Sequence, residues 1–367
     1  MPGEWTVEQI GDAGLTPEIA AAWQRLLHVS ARGVEGPDLT ASMLWGESLL
    51  ATRLEGRQSL LLVARQGDQI AGLLPLVFDT SRRGMGATRL LEPLQSLYGG
   101  RMGLLVDPRA PQALRHMLSH LREARLPWDA LILTTLEGSA DAQLVQQEAR
   151  TCGLGVLTGR RQSSPYVPLG TSWEALFEGL QKKHRYTIRS GERRLREQGA
   201  LEYRELSRPE DVEELTRCMS HVEKGSWKDA AASSIARNPG QQRFYDHFLP
   251  RAAASAVLSG HVLLLDGMPI AYMLGLIDGC VFLDLKESFD AAFEKSSPAH
   301  VLKRFVMSSL IARGITVYDF MGECEEYKLK WTDRTYTNVS VTLFRPTIRG
   351  RVAKWRSLLS RVRNRSK

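Results

Sequence analysis

Residues 261–285 read HVLLLDGMPIAYMLGLIDGCVFLDL. Three apolar runs are separated by Asp266-Gly267 and Asp278-Gly279, dipeptides that tolerate the left-handed backbone of a two-residue hairpin turn. The spacing predicts three consecutive strands joined by tight turns. Downstream, residues 295–305 read KSSPAHVLKRF. Ser297 suits an N-cap, Pro298 the first helical position and Ala299 a small first turn. Val301, Leu302, Phe305, Val306 and Leu310 then recur at helical spacing until Gly314, a C-terminal stop. A further strand, ITVYDFM over 315–321, follows. A helix start with small residues, emerging from a sheet, is either a cradle for a phosphate or an ordinary helix N-terminus.

The same plan occurs earlier in the chain. Residues 60–79, LLLVARQGDQIAGLLPLVFD, carry a second hairpin pattern in which Gly67, Ile70, Ala71 and Leu74 correspond to Gly267, Ile270, Ala271 and Leu274. A helical pattern over 111–124 and the strand DALILTTL, 129–136, complete the series. Two such series argue for an α/β protein with two tandem domains of one fold. Pro and Gly within 153–170 mark the passage between the halves. The expected organisation is an N-terminal domain over 1–165, a C-terminal domain over 166–348 and a basic amphipathic tail over 349–367.

Charge is local rather than global. The last 19 residues, RGRVAKWRSLLSRVRNRSK, hold eight Lys or Arg and no acid, and without them the chain has 40 basic against 41 acidic residues. A nucleic-acid-binding surface spread over the whole protein is therefore not expected. Within the tail, Val352, Trp355, Leu358, Leu359 and Val362 fall on one helical face, which suits either packing on its own domain or weak contact with an anionic membrane surface. Cys152, Cys218, Cys280 and Cys324 show no CxxC spacing and read as reduced thiols with no metal site. No basic stretch followed by an apolar core opens the chain, and no apolar run could span a bilayer. A cytoplasmic protein is expected.

Two polar stretches stand out. In residues 173–199, Leu176, Leu180, His184, Ile188, Gly191 and Leu195 follow one face, while Lys182, Arg185, Arg189, Arg193 and Arg196 follow another. The cations suit phosphates or carboxylates, or simply a solvated face. His184, on the apolar side, reads as a packed, hydrogen-bonded histidine. In HVEKGSWKDAAAS, residues 221–233, Glu223, Trp227 and Lys228 combine charge with a flat apolar surface, suited to a sugar ring or an adenine, or to plugging a core.

The order of these features resembles the GNAT N-acyltransferase superfamily, in particular tandem-domain proteins similar to the CelD-like polysaccharide-biosynthesis branch and the FemAB-type peptidyltransferases. The resemblance is carried by KKHRYTIRSGERRL (182–195), EKGSWKD (223–229), SSPAHVLKRF (296–305) and YDFMGECEEYKLKWTD (318–333), and more loosely by IAGLLPLV (70–77) and LYGGRMGLLVDP (97–108). It implies two tandem GNAT-like domains, each a mixed, mostly antiparallel sheet flanked by helices, the first structural or acceptor-binding and the second holding the acyl donor. It also implies that Ser297, Pro298, Ala299, His300 and Val301 start the helix that meets the pyrophosphate of acetyl-CoA or another acyl-CoA. This start has no glycine, unlike the usual family cradle, and Pro298 supplies no N–H.

N-acylation needs a base for the amine, polarisation of the acyl carbonyl and a proton for the leaving group. In DFMGECEEYKLKW, Glu323 is the expected base with Asp319 second, Tyr327 the acid and Lys328 a cation for an anionic acceptor; in FemAB-like relatives a Tyr-Lys pair lies close to the acceptor. The same stretch also reads as a plain acidic loop. The implied acceptor is an amino group, such as that of a nucleotide- or lipid-linked amino sugar of envelope or exopolysaccharide synthesis, with Lys182, Arg185, Arg189, Glu223, Trp227 and Lys228 on the substrate side. Two alternatives stay open. One is a FemAB-like transferase that uses aminoacyl-tRNA, and the other is a catalytically silent binding or scaffold protein of the same fold.

Overall fold

The computed structural model describes residues 3–11, 15–29, 36–52, 57–78, 87–94, 104–226 and 235–365, with backbone alone at 236 and 361–365. The chain forms two compact units, residues 1–33, 37–162 and 337–367 in the first, 34–36 and 163–336 in the second. Residues 337–348 thus belong to the first unit, whereas the sequence groups them with the second. The reason is strand pairing: within Thr335–Phe344, Asn338 to Phe344 run antiparallel to Ala130–Leu136.

In the first unit the strands lie in the order Trp5–Ile10, Gln58–Gln66, Gln69–Phe78, Leu90–Pro93, Ala130–Leu136 and Thr335–Phe344. All of the pairings with a recorded register are antiparallel except Leu90–Pro93 with Ala130–Leu136, which is parallel. Helix Gln112–Glu123 packs Leu114, Met117 and Leu118 into a core with Leu62, Leu74, Leu131 and Val341.

The second unit repeats this plan. Its strands are, in order, residues 163–168 at the end of Gly155–Pro168, then Val317–Asp319, Val281–Phe289, Met268–Asp278, Leu258–Leu265 and Leu201–Glu205. Again one step is parallel, Val281–Phe289 with Val317–Asp319, and its crossover contains helix Pro298–Ala312. The two hairpins expected from the sequence form as tight turns, with Asp266 at φ 49° and Gly267 at φ 78° in one and Gly67 at φ 58° in the other. Positive φ at both Asp266 and Gly267 matches the twist of the flanking strands.

Strands Leu258–Leu265 and Met268–Asp278 are largely apolar and buried because both of their faces are covered. Ala271 and Met273 join the core with Val301 and Val306 of helix Pro298–Ala312. Tyr272, between them, sends its hydroxyl the other way, to Glu223 on helix Val212–Lys224 at 2.6 Å. Helix Lys182–Gln198 buries His184, Ile188, Gly191 and Leu195, the face read from the sequence.

Gly191 lets this helix sit against the turn that precedes helix Pro298–Ala312. A Cβ there would overlap the Ser296 carbonyl oxygen. Replacing a helical glycine by alanine ordinarily gains about 1 kcal/mol. Here the overlap is with rigid backbone, so Gly191→Ala is expected to destabilise by about 1–3 kcal/mol. Urea unfolding checks this, and a stabilised variant would show that the contact yields freely.

Candidate active site

Strands Val281–Phe289 and Val317–Asp319 pair over only three positions, Val281 with Val317, Phe282 with Tyr318 and Leu283 with Asp319. Beyond them the strands part. After Asp319 the chain turns sharply, with Met321 at φ 50° and Gly322 at φ 57°. The Asp319 carboxylate holds the turn by accepting from the Met321 N–H at 2.8 Å and from the Tyr336 hydroxyl at 3.0 Å. In the second unit a cavity of about 630 Å³ is lined by Glu287, Ser288, Phe289, Glu294, Ser297, Pro298, Ala299, His300, Lys303, Glu325 and Tyr327. By contrast, an apolar cavity in the first unit, beside Trp23 and Leu76, holds about 20 Å³.

One wall of the cavity is a buried charge cluster. Lys303, on helix Pro298–Ala312, is 1 % exposed. Its Nζ lies 2.7 Å from Glu287 Oε2 and 3.5 Å from Asp284 Oδ2, and sits over the rings of Tyr318, Phe320 and Tyr327. Tyr318 donates to Asp284 Oδ2 at 2.6 Å. One cation therefore faces two carboxylates. Burial and the Glu287 charge push the Asp284 carboxyl up, against the pull of Lys303. The Tyr327 hydroxyl hydrogen-bonds Glu287, and burial together with the surrounding carboxylates pushes its pKa far up.

His300, at the start of helix Pro298–Ala312, lines the cavity and is backed by aromatic rings. The Trp331 indole donates to His300 Nδ1 at 3.3 Å, which leaves the His300 proton on Nε2. Burial, reinforced by His184, Lys303 and Lys330, holds His300 down to about 3, so its ring is neutral at physiological pH. His184 meets His300 and Trp331 edge-on, with ring centroids 4.9 and 4.7 Å away.

Residues 182–329 match the family described as the acetyltransferase (GNAT) domain. This segment is a GNAT acyltransferase domain. No curated protein matches the chain. Among solved structures the chain is similar to FemX, at 12 % identity and a TM-score of 0.57, covering 91 % of this chain and 96 % of that one. It is also similar to a conserved protein of unknown function from Bacteroides thetaiotaomicron VPI-5482, at 11 % identity and a TM-score of 0.54, covering 88 % and 97 %. At these identities the likeness is one of fold.

Within the GNAT domain, the positions singled out in the sequence separate into three groups. Ser297, Pro298, Ala299, His300 and Tyr327 line the cavity, while Val301 is buried in the core behind it. Ser297 occupies the N-cap position but is left-handed, at φ 50°, and its side chain does not cap the helix, contrary to the expected role. The N–H groups of His300 and Val301 already donate to the Ser297 carbonyl. Since Pro298 has no N–H, Ala299 supplies the remaining donor of the first turn.

A second group lies outside the cavity lining. Glu323 is exposed, and Asp319 is fully buried in the turn described above. Lys328 Nζ is buried, donates to the Met321 and Glu323 carbonyls and pairs with Glu325 at 3.1 Å. It ties the loop together through these contacts. Glu223 is likewise enclosed, accepting from Tyr272 and the Ile235 N–H and lying 3.1 Å from Lys286 Nζ. His184 packs on the apolar side as expected, yet neither of its ring nitrogens has a hydrogen-bond partner.

The third group is the cationic stripe. Lys182 and Arg189 are exposed, Arg185 is half-buried, and Arg189 stacks over Phe177. Arg193 and Arg196 pair with Glu197 and Glu192 on the same helix. None of these cations lines the cavity. Trp227 and Lys228 fall outside the described residues.

Sequence reasoning passed over Glu287 and Lys303. A signal was present for Lys303, which lies three, four and seven residues before Val306, Met307 and Leu310, on the helix face that is buried. A cation on an apolar face implies a buried partner. Among the described residues no group of three or more His, Cys, Asp or Glu could hold a metal ion, and no helix is long and apolar enough to cross a membrane.

Proposed function

We propose that the GNAT domain transfers an acyl group to a primary amine bound in the cavity beside Glu287. The observation that carries this reading is the parting of the parallel strands over a cavity whose charged lining is Glu287, Glu294 and Glu325 against Lys303, with Glu287 paired to Lys303 and Glu325 to Lys328 behind the wall. Such a lining attracts an amine in its ammonium form and offers carboxylates to receive its proton. Glu287 is the base in this reading, in place of Glu323 and Asp319. Tyr327 holds Glu287, because a phenol pushed so far up is a poor proton donor to a leaving group but a good hydrogen-bond donor. His300, neutral with its proton on Nε2, is the donor assigned to the acyl carbonyl. The bound ammonium first gives a proton to Glu287; the free amine nitrogen then attacks the carbonyl carbon, the bond to the leaving sulfur or oxygen breaks, and the second proton shed by the nitrogen passes to that leaving atom. An amino sugar is the acceptor class supported by the sequence resemblance.

The donor is best assigned by charge. An acyl-CoA would bring its pyrophosphate to the start of helix Pro298–Ala312, where the residues present fit it poorly: the Ala299 N–H is the remaining donor and Glu294 shares the lining. An aminoacyl ester instead carries an ammonium group that suits the three carboxylates. The exposed Lys182 and Arg189 would suit the phosphates of the attached RNA. This favours the aminoacyl-tRNA reading over acetyl-CoA.

The test compares thermal unfolding with acetyl-CoA, with adenosine 3′,5′-bisphosphate and with tRNA, followed by amine acylation using the donor that stabilises. A ligand at about 100 times its Kd adds roughly 2.7 kcal/mol to native stability. Stabilisation by tRNA alone supports the aminoacyl donor, and stabilisation by acetyl-CoA restores the CoA reading. In either case Glu287→Gln should lower the acylation rate by about 10²–10⁴-fold in a folded protein. An unaffected rate removes Glu287 as base, and no turnover with either donor leaves a binding protein of GNAT fold.

A further inference from the structure

The C-terminal helix, Ile348–Arg365 in the first unit, is amphipathic the wrong way round for a helix that packs on its own domain. Its inward side is small: Gly350 and Ala353 are buried, with Ala353 against Ala130 and Phe344. Its large apolar side chains face out. Ile348 is 83 % and Trp355 68 % exposed, and Val352, Leu358 and Leu359 are exposed with them. These five make up most of the eight exposed large hydrophobic residues among those described, the others being Tyr186, Met268 and Leu329. The apolar surface is thus one stripe at helical spacing, not a scatter of single residues.

The stripe is bordered by cations. Arg351 lies within the stripe beside Leu358, Lys354 lies beyond it on one side, and Arg356 and Arg349 lie on the other, Arg349 also pairing with Asp129 at 3.5 Å; no acidic residue occurs from 346 to the end of the sequence. An apolar centre with an indole and positive margins is complementary to a lipid surface with anionic headgroups. Nucleic acid would use the margins and leave the centre uncovered, and a second copy of the helix would bring like charges together. We propose that this helix docks the first unit on an anionic phospholipid membrane, with Trp355 and Leu359 inserted at the headgroup boundary. It is an in-plane contact and is independent of the reading of the cavity.

The experiment is co-sedimentation of the full chain with phosphatidylglycerol–phosphatidylcholine vesicles, beside pure phosphatidylcholine vesicles. The protein is expected to pellet with the anionic vesicles and to be released by salt. Arg351→Glu should weaken the partition by at least about five-fold, the value for one juxtamembrane cation. Leu359→Glu and Trp355→Glu, both at exposed positions, should abolish binding while leaving the thermal unfolding unchanged. Failure to pellet with anionic vesicles overturns the proposal. So does binding that survives both apolar substitutions, which would reduce the helix to a basic patch open to nucleic acid. Self-association that Leu359→Glu removes, seen by sedimentation velocity in the absence of vesicle binding, assigns the stripe to a second copy instead.

Discussion

Lys303→Met is expected to cost the protein about 3–5 kcal/mol, the usual penalty when one partner of a buried ion pair is removed. The side chain is fully enclosed, and its ammonium is the cation between Asp284 and Glu287. Methionine fills much of the volume, so the loss is electrostatic rather than one of packing. Two carboxylates would then share a low-dielectric site with the Tyr318 and Tyr327 hydroxyls, with Lys328 the nearby cation that still acts on Asp284. The penalty should shrink as pH falls, because protonating either carboxyl removes the repulsion. Urea unfolding of both proteins at pH 7.5 and pH 5.5 measures it. A difference below about 1 kcal/mol at pH 7.5 would mean that the pair is compensated by other groups or by water, and that Lys303 is not what holds the two carboxylates together.

The second large effect is acid instability. Burial holds three histidines of the second unit far below their ordinary value of 6.5: His184 at about 4, His261 at about 3 and His300 at about 3. In the unfolded chain each takes up a proton near pH 6.5, whereas in the folded chain each stays neutral until the lower value. The unfolded state therefore binds more protons between these limits. The stability associated with the neutral rings is complete above about pH 6.5 and is lost as pH falls toward 3 or 4. Each histidine contributes up to about 1.4 kcal/mol per pH unit. Three together approach about 4 kcal/mol per unit, against a typical total stability of 5–15 kcal/mol.

Asp284 acts with the opposite sign, since its carboxyl is pushed up and its protonation favours the folded state as pH falls, but it is one group against three. The urea midpoint is expected to drop steeply from pH 6.5 downward. His184→Leu should have a shallower slope and lose little at pH 7.5, because both ring nitrogens it removes are buried without partners. A midpoint flat from pH 7 to pH 5 would show that the rings charge without unfolding.

The hairpins were legible in the sequence because Asp266-Gly267 and Gly67 carry the backbone conformation that the turns require, and that information is local. The buried face of residues 182–198 was legible for a similar reason, since helical periodicity reports one face against another. The surroundings of the ionisable groups were not legible in the same way. The acidic run around Glu323 attracts attention in a linear reading, yet the turn at Met321 and Gly322 leaves Glu323 in solvent and Lys328 bound to the turn's own carbonyls. Glu287 lies in a strand, LDLKESF, where alternate polar residues look like a solvated edge.

By itself the sequence determined the strands, the turns, the duplicated plan and the helix that begins at Pro298, because each rests on residues near one another in the chain. Only the tertiary structure decided which carboxylate faces the cavity, that Lys303 is buried with Glu287, and that the apolar side of the C-terminal helix points outward. Strand register and helix rotation fix those relations. They follow from packing between segments far apart in sequence, and the electrostatics of a site are set by what surrounds each charge rather than by its neighbours in the chain.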